Sequence, residues 1–559
     1  MSDKTKIVKV KLFIVLILFL GFVVIVRLIY LQLYKYDYYL ELSKRQVENK
    51  IEVMNNRGRI FDRDGDLLAA EKKGASVFLY GAPVTDALLF KNALRQAGIY
   101  LDQMTISKLI KTRGFRWVKR GIDLSAAYRL QAGYPWIGII KHELRFYPHK
   151  DLLANIIGFA GIDNQGLTGV EYQLDGILKL KKTSIATWRD SRGKLISLQS
   201  YQESVTKNVY LTIDSQIQRL AQLLLDYDTA DFRAKFGFAA AMDVYTGDLL
   251  FAATSPTFDL NKYGNYPKQL WKNKLTEYLF EPGSIFKPIV FSFLVENGLI
   301  NEHEIINCEK GSYKIHGNII NDVHPYDHLN VYDVIVHSSN IGMAKLAGRI
   351  KPAGLALYLK KAGFGVKTNI FGLSEETGLV RNASEWSKLS KYSISFGQEI
   401  LITPLQILRF YAAAANEGFL VKPRIINKID PVGEFYDSEY KRLFSAATSG
   451  VLKTVLKETV ERGTGRNAKL SIFDVAGKTG TAQKFNIETR RYSRNEFVAS
   501  FIGFFPVNKP KYVMMVLYDA PKKSIYGGST AAFTFKKIAE QIAIFENIGI
   551  KQLLVKNEG

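Results

Sequence analysis

An apolar run from Leu12 to Val26, interrupted by Arg27 and extended by Leu28-Ile29-Tyr30-Leu31, constrains this chain more than any other stretch. It has about the 20 residues a helix needs to cross a bilayer. Lys4, Lys6, Lys9 and Lys11 precede it, and Tyr30 and Tyr34 stand where an outer interfacial belt would lie. That pattern sets the N-terminus in the cytoplasm. No small-residue cleavage site follows, so the run is an uncleaved anchor rather than a removed signal. Everything after residue 35 is then expected outside the cytoplasm. The 559 residues exceed one compact core, so two or three domains should follow the anchor. The formal net charge of +23 suggests an anionic partner: membrane lipid, cell-wall polymer or nucleic acid. The excess is scattered and no nucleic-acid motif accompanies it, which makes nucleic acid the weakest of the three. A single cysteine, Cys308, excludes an internal disulfide and a cysteine-based zinc site.

Residues 36–50 are polar and helix-compatible, a stalk. Asp64-Gly65 predicts a tight hairpin turn, and Arg57, Arg59, Asp62 and Arg63 around it form a candidate ion-pair cluster with no nucleophile or base among them. Residues 75–205 mix short strands and helices, with Arg145–Pro148 and Gly166–Glu171 as connectors and a turn at Asp190–Gly193. A boundary falls near Val209–Asp214. Ile217, Leu220, Ala221 and Leu224 then follow helical spacing. Phe236–Val244 and Leu249–Thr254 predict a hairpin, and Val498–Phe505 and Lys511–Ala520 predict two more strands. Strands, then helices, then strands fit an antiparallel sheet covered by helices, a mixed α/β (α+β) class.

Within that frame, Glu281-Pro282-Gly283-Ser284-Ile285-Phe286-Lys287 places a serine and a lysine three residues apart behind a Pro-Gly break. The apolar residues that follow predict a helix over 284–297 with Ser284 in its first turn and Gly298 as its stop. Residues i and i+3 share a helix face, so Lys287 should reach Ser284. A serine hydroxyl is a weak nucleophile until a base takes its proton. A lysine does so only if its reference value of about 10.4 falls toward 7–8, which burial and a second cation would bring about. Pro288 has no N–H and should leave the Ser284 carbonyl without its usual helical donor. Ser-x-x-Lys alone is common by chance. Ser338-Ser339-Asn340, on a loop between two helix-like segments, and Lys478-Thr479-Gly480-Thr481, on a predicted strand, change that. Gly480 would let substrate backbone approach the strand, while Lys478 offers a cation for a carboxylate and for depressing Lys287.

These three pieces, in this order, resemble the fingerprint of the penicillin-binding proteins. Met242–Asn261 with Ser255-Pro256, Ser395–Gln398, Thr403–Gln406 and Gly463-Thr464-Gly465 are similar as well. The anchor, Arg57–Gly65 and Arg145–Pro148 resemble the class B members, monofunctional peptidoglycan D,D-transpeptidases. Val475–Lys484 and Tyr526-Gly527-Gly528 look most like the cell-division (FtsI) type. Glu399, where the family tends to have glycine, and Ala531-Ala532-Phe533, where Ala-Ala-Pro is usual, depart from the pattern.

The resemblance implies a cytoplasmic tail at 1–11, an anchor at 12–31, a pedestal (dimerisation-type) domain at 36–205, a transpeptidase domain at 206–545 and a tail at 546–559. It implies catalysis by Ser284, Lys287, Ser338 and Asn340, and carboxylate binding by Lys478, Thr479, Gly480 and Thr481. Backbone N–H groups of Ser284 and Thr481 would form the oxyanion hole. No metal or cofactor is implied. The implied partners are stem peptides of lipid II-derived strands, β-lactams, and an FtsW-like polytopic glycosyltransferase of the SEDS type with other division proteins. The implied place is the division site of the inner membrane. His324 and His328, near Asp322 and Asp327, imitate a metal pair, but Pro325 between them argues against a helix and no third ligand is evident. His337 beside Ser338 is expected to pack. An elongation-type penicillin-binding protein 2, a β-lactamase or β-lactam sensor, and an inactive division scaffold share parts of this pattern.

Overall fold

The computed structural model describes residues 3–52, 57–79, 84–179, 184–189, 195–198, 206–434, 440–486 and 491–548. The turn expected at Asp190–Gly193 and the tail beyond residue 548 lie outside them. The chain divides into two units. The first, residues 1–55 and 180–205, holds an apolar helix from Asp3 to Ile29, a helix from Tyr36 to Val47 and a three-stranded antiparallel sheet of Glu48–Glu52, Ser184–Arg189 and Leu195–Leu198. The candidate span covers Ile7–Tyr34 with a mean hydropathy of 3.2, and Arg27 does not break it. The stalk is helical, as its composition suggests, but turns to strand at Glu48.

The second unit contains residues 56–179 and 206–559. In its C-terminal part, helix α1 (Ser215–Asp231) precedes strands β1 (Phe236–Asp243) and β2 (Leu249–Ser255). Helices α2 (Lys287–Glu296), α3 (Val331–Val336), α4 (Asn340–Ala347) and α5 (Pro404–Ala415) follow. Strands β3 (Ala476–Asn486), β4 (Arg491–Phe505) and β5 (Tyr512–Asp519) and helix α6 (Ala531–Phe545) close the order. The five strands form one antiparallel sheet in the order β2-β1-β5-β4-β3.

Both faces of this sheet are buried over β1, β2 and β5, so these strands are largely apolar instead of alternating with polar residues, whereas β3 and the first half of β4 carry polar residues. Phe238, Ala240 and Met242 of β1 and Val513, Met515 and Leu517 of β5 pack toward α2 and α5. The intervening Ala239, Ala241, Met514, Val516 and Tyr518 pack against Ile217, Ala221 and Leu225 of α1 and Phe535, Ile538 and Ile542 of α6.

The boundary expected near residue 209 is a seam rather than a gap. Asn208–Leu211 pairs in parallel with Ile60–Phe61 and antiparallel with Ile426–Asp430, so one sheet runs from the N-terminal part of this unit into the C-terminal part. Ile60, Phe159, Val209 and Phe258 belong to the same buried cluster.

The hairpin after Phe61 turns at Arg63-Asp64, where Asp62 accepts the backbone N–H groups of Asp64 and Asp66. Asp62 is therefore a turn cap and not a partner of Arg57, contrary to the cluster the local sequence suggests. Arg57 pairs instead with Glu171 (2.5 Å) and Asp175 (2.6 Å), and Glu171 also takes Arg145 (2.6 Å) and the Tyr147 hydroxyl (3.2 Å). Glu171 is wholly buried, so the two expected connectors are tied to Arg57 by long-range charge.

Candidate active site

Ser284 lies in a 3-10 turn, Gly283–Phe286, that runs directly into α2. This is tighter than the α-turn expected, and Pro288 gives the reason. With no N–H at 288, the Ser284 carbonyl accepts from Lys287 N–H instead, the i to i+3 bond of a 3-10 turn. The turn is held in place on three sides. Gly283, at φ +57°, donates its N–H to Gly397 O (3.0 Å), and the buried Tyr411 hydroxyl donates to Ile285 O (2.9 Å). A Cβ on Gly480 would sit 2.3 Å from Ser500 Oγ and 3.0 Å from Ile285. Gly480 thus admits the serine turn itself against β3, a different duty from the substrate approach that the sequence suggests.

Lys287 is wholly buried. Its Nζ lies within hydrogen-bond distance of Ser338 O (2.5 Å), Asn340 Oδ1 (2.8 Å) and Ser338 Oγ (3.1 Å). Among the described residues it makes no hydrogen bond to Ser284, the partner expected from helical spacing. Ser338 adopts a left-handed backbone (φ +64°), a conformation rare for a residue with a side chain. That bend turns both its carbonyl and its hydroxyl onto one amine.

Burial lowers the Lys287 pKa from 10.5 to about 7, against the opposing charge of Asp322. The second buried cation is Lys478, and repulsion between two cations acts on both; burial and the Lys287 charge push the Lys478 pKa well below its ordinary value. Lys478 is a residue of β3, wholly buried, with its amine near Thr464 Oγ1 (3.4 Å), and Thr464 and Thr479 share a hydroxyl bond (2.7 Å).

These elements enclose a cleft of about 760 Å³. Of the residues singled out from sequence, Ser284, Ser338, Asn340, Thr479 and Thr481 line it; Lys287 and Lys478 are buried behind its wall. A Cβ on Gly283 would lie 3.1 Å from Ala482 Cβ and 3.4 Å from Thr481 O, so the serine turn lies close against the strand that would carry the second oxyanion donor. His337 packs against Tyr326 as a tilted ring pair (5.3 Å between centroids), as expected, and one side of it lines the cleft. The hairpin Ser312–Ile315/Asn318–Asn321 supplies Ile319, Ile320 and Asn321 to one lip.

Asp322 is the residue that sequence reasoning missed. It drew notice only as a neighbour of His324, whereas it accepts the N–H groups of Asn340 (2.5 Å) and Ile341 (3.0 Å) and the Ser339 hydroxyl (2.5 Å). It caps α4 and so fixes the loop that holds Lys287. An acidic residue some 16–18 positions upstream carries no local signal of that role. His328 begins a short strand, His328–Asn330, consistent with the helix-breaking effect of Pro325.

Comparison with known proteins adds independent findings. The family model for the penicillin binding protein transpeptidase domain matches residues 237–540, and that for the penicillin-binding protein dimerisation domain matches 52–211. A probable peptidoglycan D,D-transpeptidase PenA of Neisseria meningitidis is 30% identical over 533 residues, 93% of this chain and 90% of its own. The peptidoglycan D,D-transpeptidase FtsI of Escherichia coli is 30% identical over 531 residues, 91% and 88% of the two chains. Penicillin binding protein 3 of Mycobacterium tuberculosis, solved with aztreonam, superposes with a TM-score of 0.69 at 26% identity, covering 88% of this chain and 97% of that one.

Proposed function

Given that this chain belongs to the penicillin-binding proteins and is a serine-type peptidoglycan D,D-transpeptidase, we propose that it cross-links the septal wall through an acyl-enzyme on Ser284, with Lys287 as the base. The Ser284 hydroxyl oxygen attacks the carbonyl of the penultimate D-Ala of a stem peptide, and its proton passes to neutral Lys287. The tetrahedral oxyanion is held by the N–H groups of Ser284 and Thr481, each worth a few kcal/mol in such sites. Ser338 relays the proton to the leaving amine, the C–N bond breaks, and terminal D-Ala departs. An amine of a neighbouring strand then attacks the ester, forms the new amide and returns the hydroxyl proton to Ser284. Asn340 orients Lys287 and the substrate amide. Thr479 and Thr481 take the terminal carboxylate from the cleft face of β3, next to Gly480, and the arriving negative charge favours the protonated form of Lys478, which supplies the positive charge. β-Lactams acylate Ser284 by the same first step.

The observation that carries these roles is the buried Lys287 amine, near neutrality at physiological pH and bonded to both Ser338 and Asn340. A charged amine could not accept the proton. The anchor at 12–31 would set residues 36–205 and 206–545 outside the cytoplasm, with the N-terminus inside, and the pedestal and anchor would meet an FtsW-like glycosyltransferase. Fluorescent penicillin should label the purified full chain stoichiometrically, with mass spectrometry placing the adduct on Ser284 and Ser284→Ala abolishing it. Unlabelled protein would mean a scaffold, and rapid β-lactam hydrolysis a β-lactamase. Depletion should give filaments; rounded cells would move the enzyme to elongation.

A further inference from the structure

The residues that lead into the catalytic turn run antiparallel to residues 397–402. Phe280 and Ile402 exchange backbone hydrogen bonds (3.1 Å each). Regular pairing would then set Gly283 opposite Glu399. Instead Gly283 N–H reaches Gly397 O (3.0 Å), because the chain turns left-handed at Gly397 (φ +80°) and Glu399 (φ +61°). The displaced Glu399 N–H is taken up by a side chain, Glu281 Oε1 (2.8 Å).

The same oxygen accepts the Tyr492 hydroxyl (3.0 Å). Tyr492 belongs to β4 and pairs with Phe485 of β3, just past a register shift between Gln483 and Phe485. Burial and the Glu281 charge push the Tyr492 pKa up, so the phenol remains a donor. One oxygen therefore joins three separate segments, three positions before Ser284. The same segments supply Gly283 and Ser284, Phe396 and Gln398, and Gln483 and Phe497 to the cleft wall.

This joint is held at a cost. Glu281 Oε2 is closed to solvent and, among the described residues, has no hydrogen-bond partner. Burial raises the Glu281 carboxyl above its ordinary value, and the two donors oppose that rise. A native interior leaves few polar atoms unpaired, and such exceptions gather at functional sites. An apolar side chain at 281 would avoid the cost but would take the acceptor from both the Glu399 N–H and the phenol.

We propose that Glu281 is a positioning residue for acylation: it fixes the Pro282–Ser284 turn against β4 and the 397–399 kink, and so aims the Ser284 oxygen at the bound carbonyl. The inference rests on the acyl-enzyme reading of Ser284. A misplacement of about 1 Å costs about 10²-fold in rate in such a site.

The test uses the full chain in detergent micelles and a chromogenic cephalosporin followed by stopped flow, which separates the dissociation constant of the first complex from the acylation rate constant. Rates are taken well below each variant's unfolding temperature and normalised to the fraction of protein that acylates. Glu281→Ala should lower the rate constant about tenfold or more and move the dissociation constant by less than about threefold. Glu281→Gln keeps an acceptor oxygen and should recover the rate to within about threefold of the parent. Tyr492→Phe should slow the parent about threefold at an unchanged dissociation constant and add nothing to Glu281→Ala. If Glu281→Ala fails to fold, Tyr492→Phe decides alone: slowing supports the proposal and an unchanged rate overturns it. An unchanged rate in Glu281→Ala, a loss carried by the dissociation constant, a Gln variant as slow as the Ala variant, or losses that add with Tyr492→Phe also overturn it. All of these results come from protein still acylated at Ser284 and leave the transpeptidase reading intact; a parent chain that takes up no cephalosporin would sink that reading instead.

Discussion

Two regions of the second unit bury charge, and they do opposite things with it. In the N-terminal part, Arg57 and Arg145 converge on Glu171, with Asp175 and Tyr147 completing the set, and Arg57 remains firmly protonated because the facing carboxylates outweigh its desolvation. Behind the cleft, Lys287 and Lys478 are buried as completely, yet among the described residues neither meets a carboxylate at ion-pair distance. Desolvation then falls on the amine itself and lowers its pKa. Paired buried charge makes a rigid joint between distant segments. Unpaired buried charge lowers the pKa of the amine, as the proposed role of Lys287 as base requires. The same cost of removing an ion from water is offset by a partner in one place and expressed as a shifted titration in the other.

Substituting Lys287 should give the largest effect and attack the contrast directly. Lys287→Met keeps the length and apolar fit but removes the amine, so penicillin acylation of Ser284 should slow about 10³-fold, within the range for loss of a general base. In the parent protein the acylation rate should fall as pH drops below about 7, where Lys287 regains its proton. Stability should climb with pH between about 7 and 10.5, because across that window the unfolded chain still holds a proton that the folded chain has released. The Met variant should lose the Lys287 share of that slope and keep only the part that Lys478 contributes. If it keeps both the rate and the pH limb, the base is elsewhere.

Breaking the paired cluster should do the reverse. Glu171→Gln preserves shape but leaves two arginines facing a neutral amide, a change of about 3–5 kcal/mol in stability for a buried pair. The temperature at which labelling capacity is lost should drop by several degrees, while the acylation rate of surviving protein stays within twofold. A slowed rate would mean that the joint also shapes the cleft.

Asp322 sits between the two regimes, since its carboxylate serves Asn340, Ile341 and Ser339 and also opposes the fall in the Lys287 pKa that burial causes. Asp322→Asn removes a charge that favours the protonated amine. The acid limb of the acylation profile should therefore move below pH 7, while the plateau falls about tenfold as the Ser338–Asn340 loop loosens. A limb that moves upward would show that Asp322 acts through another group.

The contrast also explains which parts of the molecule were legible in the sequence. The strands of the central sheet and the three motifs were visible because apolar runs and short spacings are local signals. Val331–Val336 is helical over the residues expected, and Phe236–Asp243 differs from its predicted strand by one residue. What escaped notice depends on contacts across long separations. Helical spacing puts Lys287 on Ser284, but nothing local shows that the left-handed Ser338 would claim the amine. Nor does Arg57 announce Glu171, 114 positions away, over the nearer Asp62. Gly480 looked permissive toward substrate, and only the packed neighbours reveal that a Cβ would strike Ser500 and the serine turn.

The smallest expected effect concerns Glu399, which borders the cleft yet behaves like the paired region. Its backbone is left-handed (φ +61°), which accounts for glycine being usual there, and it donates N–H to Glu281 (2.8 Å). Its carboxylate binds Arg381 (2.5 Å) and Ser390 (2.7 Å). Glu399→Gly would relieve about 1–2 kcal/mol of backbone strain. It would also give up a partly exposed ion pair worth about 0–1 kcal/mol, a hydrogen bond of about 1 kcal/mol, and the lower entropy of a chain without that glycine. These nearly cancel, so thermal inactivation should shift by less than about 2 °C, and acylation should be unchanged because no charge leaves the neighbourhood of Lys287. An acylation change above tenfold would place Glu399, through Glu281 and the Pro282–Ser284 turn, on the reactive side of the divide.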